Sequence, residues 1–305
     1  MKSIEDIAGR YRSIILDYEE FLLALRQPLR TTFRVSPLKS ARAEILGLLS
    51  NLPISPLPFW SDGYVLDGDR LPLGNHLAHF LGHIYIQEAA SMLPPLLLAP
   101  QPGEEVLDLC AAPGSKTTQL AQFMENSGLI VANDVRPDRI KALAFNLERM
   151  GVLNTVITNL NGNRFGHLLP DYFDRVLIDA PCSAEATINK SRAVLYQWGE
   201  KNIERMATIQ IGLLLAGFRA LKPGGTLIYS TCTYAPEENE MVVNYLLRRH
   251  PQADVMPVQV DGLKIRAGVT EWKGHQLDER VINCGRLLPQ DNPTSGFFLA
   301  HIAKN

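Results

Sequence analysis

Apolar and polar positions change rhythm about a third of the way along the chain. From Glu105 onward, short apolar runs of strand length ("EVLDLC", "LIVAND", "TVITN", "DRVLIDA", "GTLIYSTC", "GFFLAHI") alternate with helical patterns. The helices are expected after Pro113, from Pro137 to Met150, near Ile203 to Leu221 and after Pro236. Such alternation predicts an α/β fold, a mostly parallel sheet covered on both faces, with ligands bound outside the carboxyl ends of the strands. Before Glu105 the pattern is mixed. A long helix, a strand near Thr32 to Val35 and a second helix from Ser40 to Leu49 lead into the proline-rich "NLPISPLPFW", which breaks any helix. The apolar "IYIQEAASMLPPLLLAPQPG" reads as a helix whose end looks like a domain boundary. This gives an N-terminal module with connecting helices over 1–99 and a ligand-binding domain over 100–305.

Composition narrows the class. With 305 residues, 46% hydrophobic and 20% charged, the chain can bury a sizeable core and carries no signature of long disorder. No apolar run has the length of a membrane span, and the N-terminus has the charged amphipathic pattern of a helix, so a cytoplasmic protein is expected. Cys110, Cys182, Cys232 and Cys284 lie far apart without a C-x-x-C pair, which fits free thiols.

"LDLCAAPGSKTTQLA" carries small residues from a strand end into a helix start, where backbone N–H groups can approach a ligand. It is neither a P-loop nor a G-x-G-x-x-G fingerprint. Asp134, in "VANDVRPDR", ends the next strand about 20 residues after Gly114, the geometry for holding ribose hydroxyls. A helix-capping role before Pro137 can coexist with that one. Ribose without a phosphate grip suggests S-adenosylmethionine. Asn161 ends the third strand, where it could hold an adenine edge, and Asp179 ends the fourth in "LIDAPCS".

Two thiols end neighbouring strands of such a sheet. Carbon 5 of cytosine becomes a nucleophile only after a thiolate adds at carbon 6, and the hydrogen on carbon 5 must afterwards leave with help from a base or a second thiol. Cys232 in "STCTY" and Cys182 meet those needs as a pair, although either alone reads as a small buried hydrophobe.

"DLCAAPGSKT", "IDAPCS" and "YSTCTYAPEENE", with "FRVSPLKS", "YIQEAASMLPP" and "GFFLAHI", resemble the Fmu/Sun family of RNA 5-methylcytosine methyltransferases over nearly the whole chain. The resemblance implies a Rossmann-like class I methyltransferase with a seven-stranded, mostly parallel sheet, and a small N-terminal α+β RNA-recognition-like domain. It implies Cys232 as nucleophile, Cys182 as the group assisting product release, and Asp179 as a catalytic residue that also touches the base. S-adenosylmethionine falls to Cys110, Ala111, Ala112, Pro113, Gly114, Ser115, Lys116, Asp134, Asn161 and Asp179, with Arg139 supporting Asp134. The family usually has Asp at 161, Gly at 184 and 186, and Arg at 189. Asn161, Ala184, Ala186 and Asn189 depart from it, and the two alanines are expected to stiffen the loop after Cys182.

The net charge of −2 does not by itself announce a nucleic-acid partner. Between Arg26 and Arg42, however, five cations (Arg26, Arg30, Arg34, Lys39, Arg42) stand without an acid. With Lys190 they form the expected RNA-binding set, for transfer or ribosomal RNA. His76, His79 and His83 share a helix-like spacing but lack an adjoining carboxylate or thiol, so no metal is expected. Nothing demands more than a monomer. The competing expectation is a non-catalytic RNA-binding or assembly factor that retains the pocket.

Overall fold

The structure, a computed structural model, describes residues 2–68 and 72–305. The expected long N-terminal helix is two helices, α1 (Ile4–Gly9) and α2 (Tyr18–Arg26). Ser3 closes α1 at its start in a capping box with Asp6. Between the helices Arg10 and Tyr11 turn away to bond Glu237 and Glu185, far along the chain. Ile7, Tyr11, Phe21 and Leu25 are thereby buried against Ile188, Tyr234 and Trp272.

A four-stranded antiparallel sheet follows, formed by β1 (Thr32–Val35), β2 (Ile54–Leu57), β3 (Trp60–Leu66) and β4 (Ile84–Ile86) in the order β2-β3-β1-β4. The proline-rich stretch expected only to break a helix supplies β2. Pro56 is tolerated there because β2 is an edge strand, where a missing N–H need not interrupt a ladder. Helices α3 (Arg42–Leu48) and α4 (Leu77–Phe80) accompany this sheet, and Ile45 and Ala78 pack on Phe33, Tyr64 and Ile84. The expected apolar helix beyond residue 84 is instead β4 followed by a single short helix, α5 (Leu93–Leu98).

The large domain alternates as expected. Its elements run β5 (Glu105–Asp108), α6 (Ser115–Phe123), β6 (Leu129–Asn133), α7 (Pro137–Met150), β7 (Thr155–Thr158), α8 (Phe165–Leu168), β8 (Phe173–Asp179), α9 (Val194–Gln197), α10 (Glu200–Ala220), β9 (Leu221–Thr231) and α11 (Glu240–Arg249). The strands β10 (Ala253–Met256), β11 (Arg266–Ala267), β12 (Glu271–Trp272), β13 (His275–Gln276), β14 (Gly285–Leu287) and β15 (Phe297–Lys304) complete it. β7, β6, β5, β8 and β9 are parallel neighbours in that order, and β15 joins β9 antiparallel. The far edge of β15 is shared by β14 and β10, and β11 extends β14, so the sheet has nine strands where seven were expected. β12 and β13 pair only with each other.

Period-two burial sets the two faces. Leu107, Val176, Ile178, Leu227 and Tyr229 point toward α10 and α11, while Val106, Leu177 and Ile228 point toward α5, α6 and α7. Chain order runs to one side of β5 through β6 and β7, and to the other through β8 and β9. The crevice above β5 and β8 is therefore the topological switch point.

Candidate active site

At that switch point lies a cavity of about 500 Å³. Its floor is made by strand ends. Asp134 and Asn161 follow β6 and β7, Asp179 closes β8, and Cys232 follows β9. The register puts Asp179 beside Ser230, and the Ser230 hydroxyl donates to the Asp179 carboxylate at 2.9 Å. Lys116, reaching over from α6, donates to the other Asp179 oxygen at 2.6 Å and to the Ser91 hydroxyl at 2.8 Å.

The thiols expected from sequence converge. Cys182 and Cys232 line the cavity with their sulfurs 3.3 Å apart. The bond to Cys232, followed by burial, pushes the Cys182 thiol well above its ordinary value, so Cys182 retains its proton and can donate it to the Cys232 sulfur. Cys110 also lines the cavity, and burial raises its thiol, which suits a packing role. Cys284 is buried in the core.

At the other end, buried Asp134 accepts from the Ala112 amide at 3.3 Å and the Arg136 amide at 2.9 Å, and pairs with Arg139 at 3.1 Å. A carboxylate offers about four lone-pair sites, so room remains for a ribose hydroxyl. Asn161 uses its side-chain oxygen to cap the next turn, accepting from the Asn163 amide at 3.0 Å, which leaves its NH₂ as the freer group toward the cavity.

Part of the expected cofactor loop stands back from the cavity. Cys110 and Ala112 line it, whereas Ala111, Pro113, Gly114, Ser115 and Lys116 do not. The Ala111 and Gly114 amides bond to Asn133 and Ala111 carbonyls, closing the turn on itself. Gly114, at φ 102°, begins α6 in the left-handed region that glycine adopts without strain.

Residues that sequence reasoning missed fill the rest of the wall. Ile209 and Leu213, one turn apart on α10, give it an apolar side. Their helical spacing looks the same as that of any core face. Gly162 allows this approach, since a Cβ there would lie 2.5 Å from a Leu213 methyl.

The expected RNA-binding set does not form one open basic face. Arg34 is fully buried and binds the Gln87 and Gln122 side-chain oxygens at 3.0 and 2.9 Å, the Ser115 carbonyl at 3.3 Å and the Thr118 hydroxyl. It joins β1 to α6 and is unavailable to RNA. Folding also brings acids that the local sequence lacks: Arg26 meets Glu5, Arg30 meets Asp67 and Arg42 meets Asp62. Lys39 caps the Leu81 and Arg149 carbonyls at 2.7 and 3.1 Å. Lys190 is partly exposed, 3.9 Å from Glu88. His76 caps α4 through its ring nitrogen, and no metal-binding group of His, Cys, Asp and Glu occurs among the described residues.

The family described as 16S rRNA methyltransferase RsmB/F matches residues 95–303, and the N-terminal domain of 16S rRNA methyltransferase RsmF matches residues 5–89. The chain is 42% identical over 290 residues to a tRNA (cytosine(49)-C(5))-methyltransferase of Pyrococcus abyssi, covering 94% of this chain and 92% of that protein. It is 44% identical over 298 residues to ribosomal RNA small subunit methyltransferase F of Klebsiella pneumoniae, covering 95% of this chain but 60% of that longer protein. A solved structure, a methyltransferase homolog protein from Pyrococcus horikoshii, superposes with a TM-score of 0.86 at 35% identity, over 97% of this chain and 94% of that one.

Proposed function

Since the chain belongs to the RsmB/F methyltransferase family, we propose that it methylates carbon 5 of cytosine in structured RNA, through a covalent bond from Cys232 to carbon 6 of the target base. One observation carries the reading. Two sulfurs 3.3 Å apart stand at one end of a single cavity whose other end offers a buried carboxylate and an amide. That donor set and volume fit S-adenosylmethionine, held by Asp134, Arg139 and Asn161 with Ile209 and Leu213 as the apolar wall. S-adenosylmethionine supplies an electrophilic methyl carbon.

The chain's own groups divide the remaining work. Cys182, keeping its proton, can donate to the sulfur of Cys232, the nucleophile that adds to carbon 6 as its thiolate. Asp179, oriented by Lys116 and Ser230, faces the cavity between thiols and cofactor end, where it can bind the polar edge of the cytosine. Cys182 can hand its proton to the departing Cys232 sulfur and, as the thiolate so formed, take the carbon 5 hydrogen, which releases the product and leaves both thiols protonated. A flipped, unstacked cytosine is required, because carbon 6 cannot be reached inside a helix. Lys190 and the exposed Arg26, Arg30, Lys39 and Arg42 are assigned to the RNA backbone, the arginines exchanging their present ion pairs for phosphates.

Incubation with tritium-labelled S-adenosylmethionine and unmodified RNA tests the reading. Label is expected in 5-methylcytosine and should disappear in Cys232→Ala, while Cys182→Ala should accumulate a protein–RNA adduct. RNA binding without label transfer would instead favour an assembly factor that keeps the pocket.

A further inference from the structure

Behind the two cysteines lies a buried polar cluster that neither the cavity nor the chemistry above uses. Ser183 follows Cys182 and Thr233 follows Cys232, and their hydroxyl oxygens are 2.8 Å apart. Ser183 also touches Glu238 Oε1, and Thr233 lies 2.9 Å from Glu185 Oε2. All four residues are buried, and both carboxylates are wholly so.

Counting protons decides the state of this chain of oxygens. Three close contacts in series, Glu238 to Ser183 to Thr233 to Glu185, each require one proton, and the two hydroxyls supply two. The third must sit on a carboxylate. Glu185 is surrounded by donors: Tyr11 O–H at 2.6 Å, the Trp198 indole N–H and the Tyr234 amide at 3.3 Å. Glu238 Oε2 likewise accepts two N–H groups, from Ser183 and Gln210, each at 2.9 Å. Glu238 Oε1 touches only hydroxyls, which can accept: Ser183 and, at 3.3 Å, Thr233.

We propose that Glu238 is a positioning residue that works as the neutral acid, donating from Oε1 into a Ser183–Thr233–Glu185 relay that holds the Cys182 and Cys232 loops in register. Gln210, which also binds the Pro181 carbonyl at 2.8 Å, anchors the same acid to α10. Loss of the proton leaves one contact of the series empty and places a second buried carboxylate beside Glu185. Burial pushes Glu238 up to about 7, so the loosening falls near neutral pH. The other titratable groups facing the cluster are Cys182, Cys232, Tyr11, Tyr229 and Tyr234. The nearby cations Arg10 and Arg286 bond to Glu237 and Glu240 instead. The bearing of this relay on methyl transfer rests on the proposed function, but the protonation does not.

Glu238→Gln separates the alternatives, because its amide donates where the acid does and its oxygen still accepts from Ser183 and Gln210. Infrared difference spectra of wild type against Glu238→Gln should show a protonated carboxyl band below neutral pH that fades above it. Hydrogen exchange of the Ser183 amide should accelerate about tenfold beyond its intrinsic pH dependence in wild type across the same range. That acceleration should be absent in Glu238→Gln, and Glu238→Ala should be unprotected throughout. A missing carboxyl band, or a glutamine variant as unprotected as the alanine one, overturns the proposal. If the alanine variant does not fold, wild type and glutamine variant alone decide it. A protonated Glu238 in a protein that labels no RNA would sink the proposed function and leave this inference standing.

Discussion

Ala184 adopts φ 59° and ψ 22°, the left-handed region, immediately after the Ser183 that the relay holds. An L-residue is strained there by about 1–2 kcal/mol, while glycine adds flexibility to the unfolded chain. Ala184→Gly should therefore raise stability by about 0.5–1 kcal/mol, measurable as a shift in denaturant midpoint. The expected stiffening of this loop by alanine is thus joined by strain, which only the backbone angle reveals. At this scale the thiols were legible, because two cysteines at neighbouring strand ends have few arrangements. The acids of "PEENE" were not. Glu237 turns to Arg10, Glu240 to Arg286, and Glu238 inward to Ser183, according to partners distant in sequence.

The same blindness affected elements. Arg34 lies in an alternating strand pattern among other cations, yet the partner helix α6 makes it a buried clamp, further packed over the Tyr85 ring. Arg34→Ala would strand the Gln87, Gln122 and Thr118 side chains and should lower stability by about 3 kcal/mol. The salt dependence of RNA binding should be unchanged, read from binding curves at several salt concentrations. Lys190→Ala should leave stability nearly unaltered and reduce the salt slope by about 1. Strand and helix positions of the large domain were readable from period-two and 3.6-residue patterns, and α7 falls on the expected Pro137–Met150. The β2–β3 hairpin was not, since its prolines satisfy turn and edge-strand grammar equally well.

On the scale of the whole molecule, the N-terminal helices serve the large domain more than the small sheet. Tyr11 donates to Glu185, and Asp17 holds Arg266. Two buried acids give the fold a particular pH response. Burial pushes Glu238 from 4.5 and Asp108 from 3.8 up to about 7. Each acid binds its proton more tightly folded than unfolded, so its contribution is complete below its unfolded value and declines as pH rises through the folded one. The share of stability from these two acids should fall between about pH 4 and 7, against an opposing rise from His301, which burial lowers to about 4. The difference between wild type and Glu238→Gln in pH-dependent thermal melts should isolate the fall due to Glu238. The alternation of elements announced the switch-point crevice. Its wall from α10 and its support from Tyr11 depend on long-range packing that local periodicity does not encode.

Everything in the proposed chemistry passes through one sulfur–carbon bond. RNA carrying 5-fluorocytosine cannot lose the carbon 5 substituent as a proton, so an enzyme of this mechanism should stall as a covalent complex. Mass spectrometry of the proteolysed complex should find the methylated nucleotide on the peptide containing Cys232, with no complex from Cys232→Ala and continued trapping by Cys182→Ala. Attachment at Cys182, or undiminished trapping by Cys232→Ala, would contradict the account.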